Sequence, residues 1–180
     1  MKQALCWLIL LLFWSTCGRV ADERLPQSDR IFPDHESWSS TIVLSKEGLK
    51  RAVIWSGHLA KYEQQAQIQM DDNVEVDFFD RDARHLSHLK SRQALVNERT
   101  NDLIATGQVV VVSDSGMTLY TEELRWDHQK EKIRSDTSIR LVTETDTLTG
   151  VGFESDSDLK NWIIYHPAGV TDRQMRRVDE

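Results

Sequence analysis

From Trp38 onward, apolar residues recur at every second position, the spacing of a strand that buries one face of a sheet. Val74, Val76 and Phe78 alternate with Glu75, Asp77 and Phe79. Leu103, Ala105, Gly107, Val109 and Val111 share one face of a longer strand, with Ile104, Thr106, Gln108, Val110 and Val112 on the other. Leu124 and Trp126 alternate with Arg125 and Asp127, and Ile139, Leu141 and Thr143 with Arg140, Val142 and Glu144. β-Branched and aromatic residues dominate these runs, as a pleated, half-buried surface favours. Two segments, Ala60–Gln67 and Gln93–Glu98, have helical composition without a strong cap and also suit twisted strand.

Turn residues fall between the runs at hairpin spacing. Ser45-Lys46-Glu47-Gly48 and Ser113-Asp114-Ser115-Gly116 read as two copies of one turn, polar residues followed by a glycine that accepts positive φ. Further turns are expected at Met70–Asn73, Asp80–Arg84, His128–Glu131 and Thr145–Asp146. The pattern predicts an all-β domain of about ten to twelve strands, with no helix beyond the N-terminal segment. A long antiparallel sheet with one apolar face must cover it, by folding on itself or meeting a second sheet. The result is a twisted antiparallel sandwich or an open barrel. Its interior is either filled by side chains or left partly open for an apolar ligand.

The N-terminus differs in kind. Ala4–Trp14 is an unbroken apolar run of 11 residues, the length of a signal-peptide core and short of the roughly 20 needed to span a bilayer. It ends in Trp14-Ser15-Thr16-Cys17-Gly18, which resembles a bacterial lipobox, although Trp14 and Thr16 stand where an aliphatic and a smaller residue are usual. Three outcomes stay open: lipidation of Cys17, a short signal anchor through the 16 uncharged residues between Lys2 and Arg19, or cleavage and release. The first two keep the body at a membrane surface. Residues 1–18 are thus a signal or anchor. Residues 19–37, with two of the three prolines and eight charges, form a tether, 38–170 the β domain, and 171–180 a charged tail.

Several function classes are disfavoured. The formal net charge is −7 and there is no basic block, which argues against a nucleic-acid face. Both cysteines, Cys6 and Cys17, lie at the N-terminus, so the body has no disulfide framework and no cysteine-based metal site. There is no G-x-S-x-G, P-loop or dinucleotide fingerprint, and no cofactor is implied. His85 and His88 sit among charged residues and read as solvated polar groups rather than metal ligands. Glu75 and Asp77 are mid-strand and are expected on the wet face. The residues point to no enzyme.

An ordered series of segments resembles the LptC family, the periplasmic component of the lipopolysaccharide export transporter. Ile42–Gly48 followed by Ala52–His58 resembles the family's opening hairpin, and Asn73–Asp80 its next strand and turn. Ala105–Val111 is similar to its G-x-V strand and Leu119–Trp126 to the segment after it. Ile133–Asp136 and Leu148–Phe153 complete the set. The resemblance covers about residues 38–170. It implies an open β-jellyroll with an apolar groove for the acyl chains of lipid A. It also implies a place on the periplasmic face of the inner membrane, beside the membrane subunits LptF and LptG and the cytoplasmic ATPase LptB. Lipopolysaccharide would pass to LptA, or a similar bridge protein, by edge-to-edge strand pairing. The family commonly has a transmembrane helix where this chain has a short run ending in Cys17. Gly18 and Arg19 follow Cys17 in place of the aspartate that retains many lipoproteins at the inner membrane.

Pattern and resemblance together place Ile42, Leu44, Ile54, Val74, Val76, Phe78, Val109, Val111, Leu119, Leu124, Trp126, Ile139, Leu141 and Phe153 toward the groove, ordinary core packing being the alternative for each. Gly107 lies on the same face, where a strand glycine marks a bulge or a close approach, and a large residue there is expected to block groove or partner. Two other readings stay open. One is an envelope scaffold that joins partners by strand augmentation over a packed core; the other is a small periplasmic enzyme.

Overall fold

The computed structural model describes residues 32–168. They form eleven strands: β1 His35–Lys46, β2 Leu49–Tyr62, β3 Gln67–Asp71, β4 Val74–Phe79, β5 His85–Ser91, β6 Gln93–Asn97, β7 Leu103–Ser113, β8 Thr118–Asp127, β9 Lys132–Val142, β10 Thr147–Asp156 and β11 Ile163–Ala168. All belong to one antiparallel sheet. The expected all-β class and strand number hold, and both segments of helical composition are strand and turn. Ala60–Tyr62 ends β2, the chain turns, and β3 begins at Gln67, while Gln93–Asn97 is β6.

The pairing is simpler than the strand count suggests. β3 and β4 both pair with β2, β3 along its C-terminal half and β4 along its N-terminal half. β6 and β5 likewise share β7. β3–β4 and β5–β6 are therefore two long strands, each interrupted once, in an up-and-down meander. Met70–Asn73 is not a hairpin turn, because the chain continues in the same direction. Asp72 and Asn73 take φ of 59° and 64° there, the left-handed region that Asn and Asp tolerate best among residues with a Cβ.

The interruptions line up into a crease across the sheet. Ser39 (φ 52°) on β1 falls opposite Gly57 on β2, and Gly57 N–H donates to Asp72 O at 2.8 Å. Arg92 separates β5 from β6 and donates its N–H to Gly107 O at 3.0 Å. The β7–β8 register shifts between Thr106 and Val109, that of β8–β9 between Thr121 and Arg125, and that of β9–β10 between Val151 and Phe153. A Cβ on Gly57 would sit 2.5 Å from Asp72 O, so the crease needs glycine at that point. Bulges bend a sheet and increase its twist. Aligned across every strand, they fold this one onto itself as a jellyroll-like sandwich.

The two halves of the folded sheet meet along their apolar faces. In one half, Ile42, Ile54, Val76, Leu89, Val111, Leu119, Leu141 and Leu148 form an unbroken row of cross-strand neighbours. In the other, Leu59, Met70, Ala94, Ala105 and Leu124 form one row, and Ile68, Val96, Leu103, Trp126 and Ile133 the next. Phe78 from the first half packs on Trp126 from the second, ring centroids 5.3 Å apart. One core cluster contains both sets.

The two glycine turns differ. Glu47 and Gly48 take φ of 56° and 76°, a two-residue loop of the kind that matches strand twist. At the second, Ser113 N–H donates to Met117 O at 2.9 Å, closing a longer loop. β1 starts at His35, inside the segment expected to be tether. Its side chains there are exposed on both faces, and backbone pairing to β2 holds it without an apolar pattern. Cys17, the signal or anchor segment and the charged tail lie outside the described residues.

Candidate functional site

The fold brings together the residues singled out for the groove. Thirteen of the fourteen are buried in the single core cluster, and Ile42 packs against it. The interior is filled by these side chains: Ile54, Val74, Val76, Val111, Leu119 and Leu141 have no exposed surface. At the crease an open concavity of about 610 Å³ reaches toward them, lined by Val109, Thr121 and Ile139 with Gln108, Tyr120 and Arg140 around it. Arg140 stacks over the Tyr120 ring at 4.2 Å.

Gly107 sits in the crease with φ of 79°, and a Cβ there would meet Arg92 Cβ at 3.1 Å. The bulge beside it turns the register of β7 against β8.

A polar seam runs through the interior that the alternation did not reveal. Thr121 Oγ1 lies 2.9 Å from both Ser135 Oγ and Thr137 Oγ1, and donates to or shares its proton with them and Ser138 O at 3.1 Å. Ser87 Oγ donates to Ser157 O at 2.5 Å, joining the two halves of the sheet. The signal was present in the sequence, since Ser87 and Ser91 alternate with Leu89 and Ser135 follows Ile133 at a spacing of two. Serine at such a position reads as either face.

One end of the interior is closed by a charged clasp. Arg51 is buried (3% exposed), and its Nε donates to Glu131 Oε1 at 3.2 Å. Its Nη1 donates to Asp80 O at 2.8 Å. Lys46 Nζ donates to Gln129 O at 2.9 Å and stands 3.7 Å from Glu131, as does Arg81 Nε. The clasp joins the β1–β2 and β4–β5 turns to the β8–β9 turn. Asp80 also accepts the N–H groups of Arg84 and Asp82 at 2.8 Å; chiefly the Arg84 bond holds its carboxyl below the usual range. Arg51 and Glu131 also line an open cavity of about 450 Å³, together with Phe79, Leu86, Trp126 and Ser157 among others.

The outer face carries the residues expected to be wet. Glu75 pairs with Lys90 at 3.0 Å. His85 and His88, three apart, would point to opposite faces of a regular strand. A bulge opposite Phe78/Phe79 puts both on the outside, where Asp77 Oδ1 contacts His88 Nδ1 at 2.6 Å and His85 Nε2 at 3.2 Å. Burial pulls the His85 pKa down, but hydrogen bonds to Asp114 and Asp77 outweigh it and leave it raised. Among the described residues, no group of three or more His, Cys, Asp or Glu is arranged to hold a metal ion. No described helix is long and apolar enough to cross a membrane.

At the two ends of the sheet, β1 pairs only with β2 and β11 only with β10 among the described residues. The family model LptC, described as "Lipopolysaccharide-assembly, LptC-related", matches residues 4–166. No curated protein matches the chain.

Proposed function

The chain belongs to the LptC family, whose role is in lipopolysaccharide transport, and from that membership we propose that it is a non-catalytic relay. It receives lipopolysaccharide from the LptF and LptG membrane subunits, driven by ATP hydrolysis in LptB, and hands it to an LptA-like bridge protein. It works on the periplasmic face of the inner membrane, held there by its N-terminal segment or by a lipidated Cys17. Labelled palmitate incorporated by the wild type and lost in Cys17→Ala would identify the lipid anchor.

The observation that carries the reading is the row of eight apolar residues running from Ile42 to Leu148, in a sheet whose end strands β1 and β11 each pair on one side among the described residues. An acyl chain lying along such a row gains about 25 cal/mol per Å² of apolar surface removed from water and needs no polar partner, so it can slide. Edge strands of this kind invite augmentation by a partner sheet. The test is in vivo photocrosslinking from Phe78, which faces the interior, and Glu75, which faces out. Lipopolysaccharide adducts are expected at Phe78 and few at Glu75, and equal labelling would overturn the assignment.

A second reading is favoured by one observation, the burial of thirteen of the fourteen groove residues in one packed core. A scaffold with a packed core would join envelope partners by its edges and carry no lipid. Partner crosslinks without any lipid adduct would select it.

A further inference from the structure

Exposed apolar side chains of β1 and β2 gather on one side of the sheet. Ile42 and Ile54 pair with each other and face inward, so the neighbouring pairs Thr41–Trp55 and Val43–Val53 face out. Trp38 pairs with His58, next to the inward Leu59, and faces out as well. Trp38 is 69% exposed, Val43 57% and Trp55 38%. The Trp38 ring lies against His58, centroids 5.4 Å apart. Phe32, just before β1, is also exposed. Single exposed apolar residues are ordinary, but two tryptophans and a valine on one strand pair make a patch that calls for a partner.

The crease decides the shape of that patch. The sheet folds so that its inner faces meet, and its outer face is therefore convex where it bends. Trp55 and Trp38 stand on either side of the bend at Gly57. A convex ridge cannot enclose a small ligand, whereas it suits an extended surface. The ridge also belongs to the face of β1 and not to its edge, because side chains stand out of the sheet while N–H and C=O groups lie in its plane. Covering the ridge leaves the edge open.

Charge narrows the choice of surface. Glu36 and Asp71 flank His58 at 3.5 and 3.1 Å, and Glu75 pairs with Trp55 and contacts Lys90 at 3.0 Å. Carboxylates around the two indoles repel an anionic surface. An indole, apolar with one polar N–H, suits the neutral head-group layer of a bilayer. The chain outside the described residues also ends beside this ridge. Residues 19–31 separate the signal or anchor segment from Phe32, and that many residues reach about 45 Å at most. The exposed Val151, Ile163 and Tyr165 at the other end of the sheet lead instead toward the charged tail.

We propose that this ridge rests on a phospholipid bilayer, with the Trp38 and Trp55 rings in a neutral head-group layer and the β1 edge free beside it. The inference rests on the reading that the N-terminal segment holds the chain at a membrane, and adds how the β domain is turned toward that membrane.

The test uses the full chain, labelled with 5-fluorotryptophan, in phosphatidylcholine nanodiscs that carry a spin label on some head groups. Trp38→Phe and Trp55→Phe assign the two fluorine resonances. Both are expected to broaden roughly twofold or more beyond Trp162 and Trp126, as rings at head-group level should. Phosphatidylglycerol mixed into the disc should not raise the effect, and an increase would mean attachment by basic groups and overturn the ridge. Co-elution with the disc reads the anchoring separately. If the chain co-elutes while Trp38 and Trp55 broaden no more than Trp162, the ridge is off the membrane and the anchoring stands. If the chain does not co-elute, anchoring and ridge fall together. Resonances that ignore the lipid label but shift with chain concentration, or on adding a soluble peptidoglycan fragment, would give the ridge to a second copy or to a glycan and overturn the proposal. The broadening is read on the wild-type chain, so a poorly folded variant does not decide the outcome.

Discussion

Replacing Glu131 by glutamine removes the charge that the clasp is built around and keeps the side chain's shape. Arg51 is 3% exposed and would lose its counter-charge at 3.2 Å while keeping its bond to Asp80 O at 2.8 Å. Stripping one partner from a fully buried pair costs about 3–5 kcal/mol. Glu131 is 27% exposed, so solvent screens part of that interaction. Lys46 and Arg81 stand further off at 3.7 Å, and Arg81 at 80% exposure adds almost nothing. The expected cost is therefore about 2–3 kcal/mol, or roughly 6–12 °C in Tm for a domain of this size. Urea denaturation of Glu131→Gln, Arg51→Met and the double variant isolates the pair from their separate effects. A coupling of about 1.5–3 kcal/mol is expected. A value below about 0.5 kcal/mol would class the contact with screened surface pairs and refute the clasp.

Three further outcomes follow from the same geometry. Gly107→Ala should cost about 1–2 kcal/mol, because φ of 79° suits glycine alone and the new Cβ meets Arg92 at 3.1 Å. Gly107→Arg should cost more and lower lipopolysaccharide export, and normal export would remove Gly107 from groove and partner alike. Thr121→Val removes a hydroxyl within 3.1 Å of Ser135 Oγ, Thr137 Oγ1 and Ser138 O, while Ser135 and Thr137 keep each other at 3.1 Å, so it should cost about 1 kcal/mol by denaturant melt; a neutral result would mean water takes its place. Burial lowers the His128 pKa from 6.5, so its contribution is complete above 6.5 and is lost as pH falls through the folded value. That of His85 is raised from 6.5, so its contribution is complete below 6.5 and is lost as pH rises through the folded value. Stability measured against pH should lose its acid-side fall in His128→Asn and its decline above 6.5 in His85→Asn; unchanged slopes would contradict the pair.

What the residue pattern revealed was each half of the sheet taken alone. Within a half, period two holds apart from the shifts at Leu44/Ser45 and Phe78/Phe79, and the row through Ile54, Val76, Val111, Leu119 and Leu141 could be read by alternation. The crease could not. On β2 the inward series runs Ala52, Ile54, Ser56 and then Leu59; on β8 it runs Leu119, Thr121 and then Leu124; on β10 it runs Gly150 and then Phe153. Each series changes parity at a bulge, and a bulge is defined by the strand opposite, which no local window contains. Asp72-Asn73 misled for a related reason, since residues that tolerate left-handed backbone serve a kink as readily as a hairpin. The buried Trp126 Nε1 and His128 Nδ1, which have no hydrogen-bond partner, were out of reach altogether, because only the packed interior shows which donors are left without partners.

The filled interior bears on how a relay of the proposed kind could work. A ready-made dry channel would bind an acyl chain with the full gain from its buried area and would release it slowly. Here the apolar faces already cover one another, so an entering chain must part Phe78 from Trp126 and replace contacts that exist. Affinity is then the difference between two burials, small compared with either, and the chain can leave as readily as it enters. In the proposed relay the two halves would part about the crease, and the Arg51–Glu131 contact would add to the cost of that opening at one end. In such a relay the edges at β1 and β11, each paired on one side among the described residues, would set the direction of travel. There, a partner strand paired to β1 would add one more inward-facing position beside Ile42, so the row it begins would continue into the next sheet without a polar gap.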